Sequence, residues 1–241
     1  MANQHVQRGF EPFGVNATPA TPMAAGLRAY LLKVYNYMAA GLALTGAVAY
    51  YGAVSGFYAS IVGTPLFWIV LFAPLALVLF LGFRIERISL GAAQLGFWAY
   101  AGLVGLSLSG IFLVYTGESV ARVFFISAGT FAATSLYGYA TRRDLSRFGS
   151  FLFMGLIGIV IAGLVNMFLK SSTLQLTISA VGVIVFVGLT AYDTQRIKAL
   201  YVDGEDGAVA GKKAVLGALA LYLDFLNLFL MLMQLMGNRR R

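Results

Sequence analysis

Two aspartates occupy positions where a carboxylate is costly. Asp193 stands in "LTAYDTQRIK", Leu189–Lys198, directly after a long and almost wholly apolar run. Asp224 follows thirty-one positions later in "LYLDFLNLF", flanked by Leu223 and Phe225. An aspartate near a bilayer centre costs about 2.5–3.5 kcal/mol on insertion scales, so such residues face a bundle interior and mark ion or proton paths. If the helix carrying Asp193 runs on to Tyr201, its carboxylate lies about 12 Å from that end, and Asp224 lies about 15 Å into its own segment counted from Ala214. The two segments are antiparallel neighbours, so both carboxylates reach a similar depth. Two carboxylates that close do not ionise independently; they share a proton and titrate as a pair. That is the chemistry of a pH sensor. The plainer alternative for Asp193 is an interfacial pairing with Arg196 or Lys198. Asp224 has no basic neighbour, and Asn227 lies one helical turn on along the same face.

Other chemistries are excluded by composition. Cysteine is absent and the one histidine, His5, sits in a polar N-terminal stretch. Disulfides, thiolate nucleophiles, Fe–S clusters and histidine-based metal sites are therefore ruled out. No cofactor is expected. The net charge of +8 would suggest nucleic acid in a soluble protein. Here the basic residues lie in short clusters between apolar runs, the loop signature of a membrane protein, so the expected partners are membrane lipid, cations and protons, with no nucleic acid.

The elements that must hold the aspartates follow from hydropathy. The chain has 241 residues, 60% hydrophobic and 11% charged, with mean hydropathy +0.83. Soluble domains are roughly 45–50% apolar and about 25% charged, so this is an all-α polytopic membrane protein. Residues 1–28 read as a flexible polar tail, 29–237 as the transmembrane domain and 238–241 as a basic tail. Seven apolar segments are predicted at 29–51, 63–83, 92–115, 119–140, 149–169, 173–195 and 214–236, with one long loop, 196–213. Glycine-rich stretches such as "GLVGLSLSG" and "GLIGIVIAG" suit close helix packing. No signal peptide is visible. With a cytoplasmic N-terminus, twelve lysines and arginines fall inside and Arg122 and Lys170 fall outside, which fixes the expected orientation. The terminal Arg239–Arg241 triplet conflicts with seven full spans: either the last segment is re-entrant or deeply buried, or the earlier loops overrule the tail. Among the other acidic residues, Glu86 lies between Arg84 and Arg87 and Asp144 follows Arg142 and Arg143, an arrangement expected to give loop ion pairs. Glu118 sits in the turn between the third and fourth segments and reads first as an exposed turn residue or cap.

"GLTAYDTQRIK" followed by "ALALYLDFLNLFLMLM" resembles the bacterial branch of the Bax inhibitor, or transmembrane Bax-inhibitor-motif, family. The resemblance covers roughly residues 29–237 and implies seven helices, six of them around a central seventh. It implies a pH-sensitive calcium leak channel of the bacterial inner membrane, not an enzyme, in which Asp193 and Asp224 form the gate and ion site. A basic residue at the end of the second helix, here Arg84 or Arg87, would lock the closed pair. Tyr192, Asn227 and Glu118 are candidate supporting residues. The alternative function is a regulatory partner of a larger membrane complex, such as a membrane-anchored ATP-dependent protease. A cation/proton exchanger and an intramembrane aspartyl protease are further readings. The protease reading requires G-x-G-D at the second aspartate, where this chain has Leu221-Tyr222-Leu223-Asp224.

Overall fold

The structure is a computed structural model that describes residues 22–240. The expected tail up to residue 21, with His5, and the terminal Arg241 lie outside the described residues. Eight helices follow: α1 (Pro22–Val54), the short α2 (Phe57–Ile61), α3 (Pro65–Arg84), α4 (Leu90–Val114), α5 (Gly117–Ala140), α6 (Ser146–Leu169), α7 (Ser172–Ala199) and α8 (Gly207–Met236). All but α2 are long and apolar enough to cross a membrane. Their starts are set by local chemistry. Pro65 opens α3 at a position where its missing N–H costs nothing. Ser89, Thr116, Ser171 and Asp206 cap α4, α5, α7 and α8 by accepting backbone N–H groups of the first turn.

Two boundaries differ from expectation. Helix α1 begins at Pro22, so residues 22–28, assigned to the tail, are helical. Helix α8 begins at Gly207, which reduces the expected 196–213 loop to a turn of residues 200–206. A hydropathy window stops at the lysines, but a helix does not. Asp206 accepts from Ala208 and Val209, Lys212 donates to the Glu86 carbonyl at 3.0 Å, and Lys213 pairs with Glu205 at 2.6 Å. Among the described residues that last pair is the single ion pair, so the expected pairings of Glu86 and Asp144 do not form. Exposed pairs gain little over hydration. Asp144 instead accepts from Ser146 N at 2.9 Å. Those bonds to Ser146, with Arg147 behind them, hold its carboxyl below the usual range.

Helix α8 is the axis of the bundle. Two-thirds of its apolar window is buried, against 44% or less for every other span. It packs directly on α1, α4, α5 and α7, whereas α3 packs on α4, and α6 on α7, at the periphery. The arrangement of six helices about a central one thus consists of four in direct contact and two outer helices. Close approach depends on a few glycines. A Cβ on Gly105 would meet the Thr45 carbonyl oxygen at 2.7 Å, and one on Gly138 would run into the Ala191 backbone. Gly158 and Gly163 of "GLIGIVIAG" meet nothing within 4 Å, so only part of that small face is used for packing.

The last described residues show how far α8 runs. Thr116 N donates to the Asn238 carbonyl (3.1 Å), Asn238 N to Ser119 Oγ (2.8 Å) and Arg240 N to the Val114 carbonyl (2.9 Å). The C-terminal residues are therefore stitched to the α4–α5 turn. Helix α8 runs the whole length of the bundle, from the end carrying Arg84, Arg87, Arg142, Arg143, Lys212 and Lys213 (the basic end) to the far end.

Candidate functional site

Helices α6, α7 and α8 line a cavity of about 680 Å³, and both aspartates are on its wall. Asp224 is 5% exposed and Asp193 is half-buried. Their carboxyl groups lie within hydrogen-bonding reach of each other. A carboxylate is acceptor-only, so a hydrogen bond between the two forms only when one of them carries a proton. Oδ2 of Asp224 is buried and accepts no hydrogen bond among the described residues. An unpaired buried oxygen of this kind is costly and calls for a donor or a cation.

The meeting of the two groups depends on an offset between their helices. Asp193 lies six residues, about 9 Å, from the end of α7 at Ala199, while Asp224 lies seventeen residues, about 25 Å, from the start of α8. The latter count exceeds the roughly 15 Å expected because α8 begins at Gly207 and not at residue 214. Near the basic end Ile197 packs at Gly217, where a Cβ would sit 3.2 Å from its methyl, so the first turns of α8 project beyond α7. The polar start of α8 extends outward and Asp224 remains beside Asp193.

Tyr192 and Asn227 line the cavity with the pair. Asn227 Nδ2 donates to the Leu223 carbonyl at 2.9 Å, which fixes its amide. Arg84 and Arg87 do not line the cavity: both are exposed, at and just beyond the end of α3, which packs on α4 away from α7. In this arrangement neither arginine makes an ion pair with either aspartate, and α3 packs on α4 rather than on α7 or α8. The cation that lines the cavity is Arg196, exposed and one turn on from Asp193, and it makes no ion pair with either aspartate. Glu118 is exposed in the first turn of α5, at the far end and apart from the pair.

A second cavity of about 380 Å³, lined by Arg142, Arg143, Asp144 and Gln195, lies at the basic end, and Tyr192 and Arg196 line both. Gln195 ties the α5–α6 turn to α7, donating to the Arg143 carbonyl and accepting from Leu145 N, each at 2.9 Å. Tyr192 and Arg196 are thus the side chains common to the two spaces.

The sequence reading missed an amide cluster at the far end. Asn166 Nδ2 donates to Gln175 Oε1 (2.9 Å), Ser179 Oγ donates to Gln234 Oε1 (2.6 Å), and Gln175 and Gln234 are bonded to each other. One signal was available. Asp224, Asn227, Met231 and Gln234 fall at i, i+3, i+7 and i+10, a single stripe along an otherwise apolar helix. Among the described residues no three His, Cys, Asp or Glu side chains come together. The protein therefore offers a hard cation two carboxylates, and the remaining oxygens of a six- to eight-fold shell would come from amides, backbone or water.

The comparisons decide the lineage. The sequence profile of the family described as "Inhibitor of apoptosis-promoting Bax1" matches residues 27–241. The chain belongs to the Bax inhibitor family. It is 50% identical over 220 residues to the inner membrane protein YbhL of Escherichia coli strain K12, covering 90% of this chain and 94% of that protein. It is 51% identical over 216 residues to RP147 of Rickettsia prowazekii, covering 89% and 92%. A membrane protein of Streptococcus pyogenes, SpyM3_0260, is 34% identical over 221 residues, covering 90% and 96%. The Bax inhibitor match takes in α3 to α8 entire, and with them both aspartates and the amide cluster.

Proposed function

We propose that this Bax inhibitor family protein is a pH-sensitive cation leak pathway for calcium, with Asp193 and Asp224 as its gate and ion site. One observation carries the reading: two carboxylates from neighbouring central helices meet in a cavity inside an apolar bundle, one of them with a buried oxygen that has no donor. A paired carboxylate site holds a net negative charge that attracts a divalent cation when deprotonated and loses that attraction on protonation. With only two carboxylates the site binds weakly, as conduction requires. Arg196 faces the same cavity and competes with the cation for the pair. Tyr192 and Arg196 stand between the pair and the basic-end cavity, so entry from that end is controlled beside the pair itself.

The protease reading is disfavoured by packing. Leu221 and Tyr222 are fully buried where such an enzyme needs glycine to admit a substrate backbone. The test is calcium flux into proteoliposomes across a pH series, wild type against Asp224→Asn. Wild-type flux indistinguishable from empty vesicles at every pH removes the leak reading. Running the same series with and without an imposed proton gradient separates a leak from an exchanger.

A further inference from the structure

Another face of α8 borders a groove that none of the foregoing uses. Helices α1 and α5 both pack on α8 and diverge from each other above it, bridged by a hydroxyl pair between Tyr35 and Ser135. Two adjoining spaces of about 620 and 360 Å³ fill the gap, sharing Leu42, Ala43, Phe124 and Phe225. Phe225 and Phe229 form the floor, held by edge-on contacts with Phe124 at centroid distances of 5.4 and 6.4 Å. The rim residues Leu32 and Leu136 are 52% and 67% exposed, so the groove opens sideways. From Arg28 to Ala49 it follows α1 for about 32 Å, close to the roughly 30 Å thickness of a bilayer's hydrocarbon core.

The lining excludes a water-soluble ligand. The hydroxyls of Thr45 and Ser135 are already bonded, to Tyr222 and Thr194. The one charged side chain is Arg28, at the basic-end mouth. Its guanidinium has no acidic or carbonyl partner among the described residues. Lys198 reaches the same mouth from α7, with Nζ 4.6 Å above the Tyr139 ring and 2.9 Å from the Tyr139 carbonyl. An apolar trough of membrane length, open to the side and flanked by two cations at one end, complements a lipid whose chain is apolar and whose headgroup is anionic. A second copy of the chain would lay another apolar helix face here and leave Arg28 and Lys198 without a counter-charge.

We propose that the groove between α1 and α5 binds one acyl chain of an anionic phospholipid from the leaflet at the basic end, with its phosphate held by Arg28 and Lys198. The site shares α8 with the carboxylate pair, since Phe225 of its floor adjoins Asp224. Its wall is joined to α7 through the Tyr35–Ser135–Thr194 hydroxyls, one residue from Asp193. Occupancy therefore bears on the two helices that hold the pair.

The full-length protein is reconstituted in phosphatidylcholine vesicles containing a trace of phosphatidylglycerol with a photoactivatable acyl tail. The matched phosphatidylcholine probe is run in parallel. The phosphatidylglycerol probe is expected to label α1 around residues 39–47 and α5 around residues 124–136 in excess over the outer helices α3 and α6. Unlabelled phosphatidylglycerol, and not phosphatidylcholine, should compete it away. Arg28→Gln should bring labelling down to the phosphatidylcholine level. Filling the groove with Ala128→Phe should remove the excess, and Ala43→Leu does the same from the opposite wall should Ala128→Phe fail to fold. Labelling spread evenly over all membrane-facing helices, or an excess that survives these substitutions, overturns the proposal. So do disulfide-linked dimers of Ala128→Cys in this otherwise cysteine-free chain, since they place a second copy in the groove. None of these readouts uses ion flux, so the lipid site and the leak reading fail independently.

Discussion

Met231 of α8 lies against the bare backbone of Gly182 on α7, where a Cβ would sit 2.8 Å from its sulfur. The contact falls on the polar stripe of α8, between Asn227 on the carboxylate side and the Gln175–Gln234 cluster toward the far end. Glycine makes the recess and a flexible thioether fills it. In a leak pathway that follows the stripe, Met231 is the apolar plug between two polar stations. Met231→Ala should raise basal calcium flux severalfold, and Met231→Leu should leave it near wild type. Proteoliposome flux at fixed pH measures both, and an unchanged Met231→Ala rate places the pathway elsewhere.

The carboxylate pair should govern the pH profile as a unit. As pH falls the pair takes up its proton, its negative charge drops, and its hold on both cation and Arg196 weakens. Flux should therefore change across the range in which the pair titrates. Asp193→Asn and Asp224→Asn should each flatten that dependence, and the double variant should do no more than either alone. If both single variants retained the wild-type profile, the pair would be structural.

Arg196, rather than Arg84 or Arg87, should matter to closure. Arg196→Gln removes the cation that lines the cavity, so basal leak should rise and the pH response should shift. Arg84→Gln, Arg87→Gln and their double variant should behave as wild type. The opposite pattern would mean that α3 moves inward in the closed state.

Stability at the core should depend on which hydroxyl is removed. Thr45 Oγ1 lies 2.9 Å from the carbonyls of both Gly41 and Ala101 and 2.6 Å from Tyr222 Oη. A threonine hydroxyl has one proton, which goes to a carbonyl, so Tyr222 is the donor in its bond to Thr45. Tyr222→Phe should cost about 0.6 kcal/mol, the average for an interhelical bond in a membrane. Thr45→Val strands a buried phenol and should cost more, about 1–3 kcal/mol. The double variant should return close to Tyr222→Phe alone. Denaturant or thermal unfolding in a fixed detergent gives the comparison.

Topology has a direct check. The structure places Arg28 and Gly207 at the same, basic end, so reporters before Arg28 and at Gly207 should read on the same side, and the charge bias predicts a cytoplasmic reading for both. A disagreement between the two reporters contradicts the bundle; agreement on the outer side reverses its orientation.

The seven spans, the all-helical class and the two aspartates as the candidate site were legible in the sequence because each is a local property. A run of about twenty apolar residues has to become a helix in lipid, since its backbone groups find no partner outside itself, and a carboxylate within such a run is conspicuous by its cost. Pairwise geometry was not legible. Arg196 could be read from its place three residues after Asp193, but the separation of Arg84 and Arg87 from the pair depends on α3 packing on α4 and not on α8. The distance of Asp224 from the start of α8 followed from Asp206 capping a helix that hydropathy began at residue 214. The amide cluster, the Met231–Gly182 contact and the α1–α5 groove each join residues far apart in the chain, whose juxtaposition depends on helix offset and on where glycine lets backbones approach. Hydropathy has no record of either, because it measures transfer into lipid and not which neighbour a helix meets there.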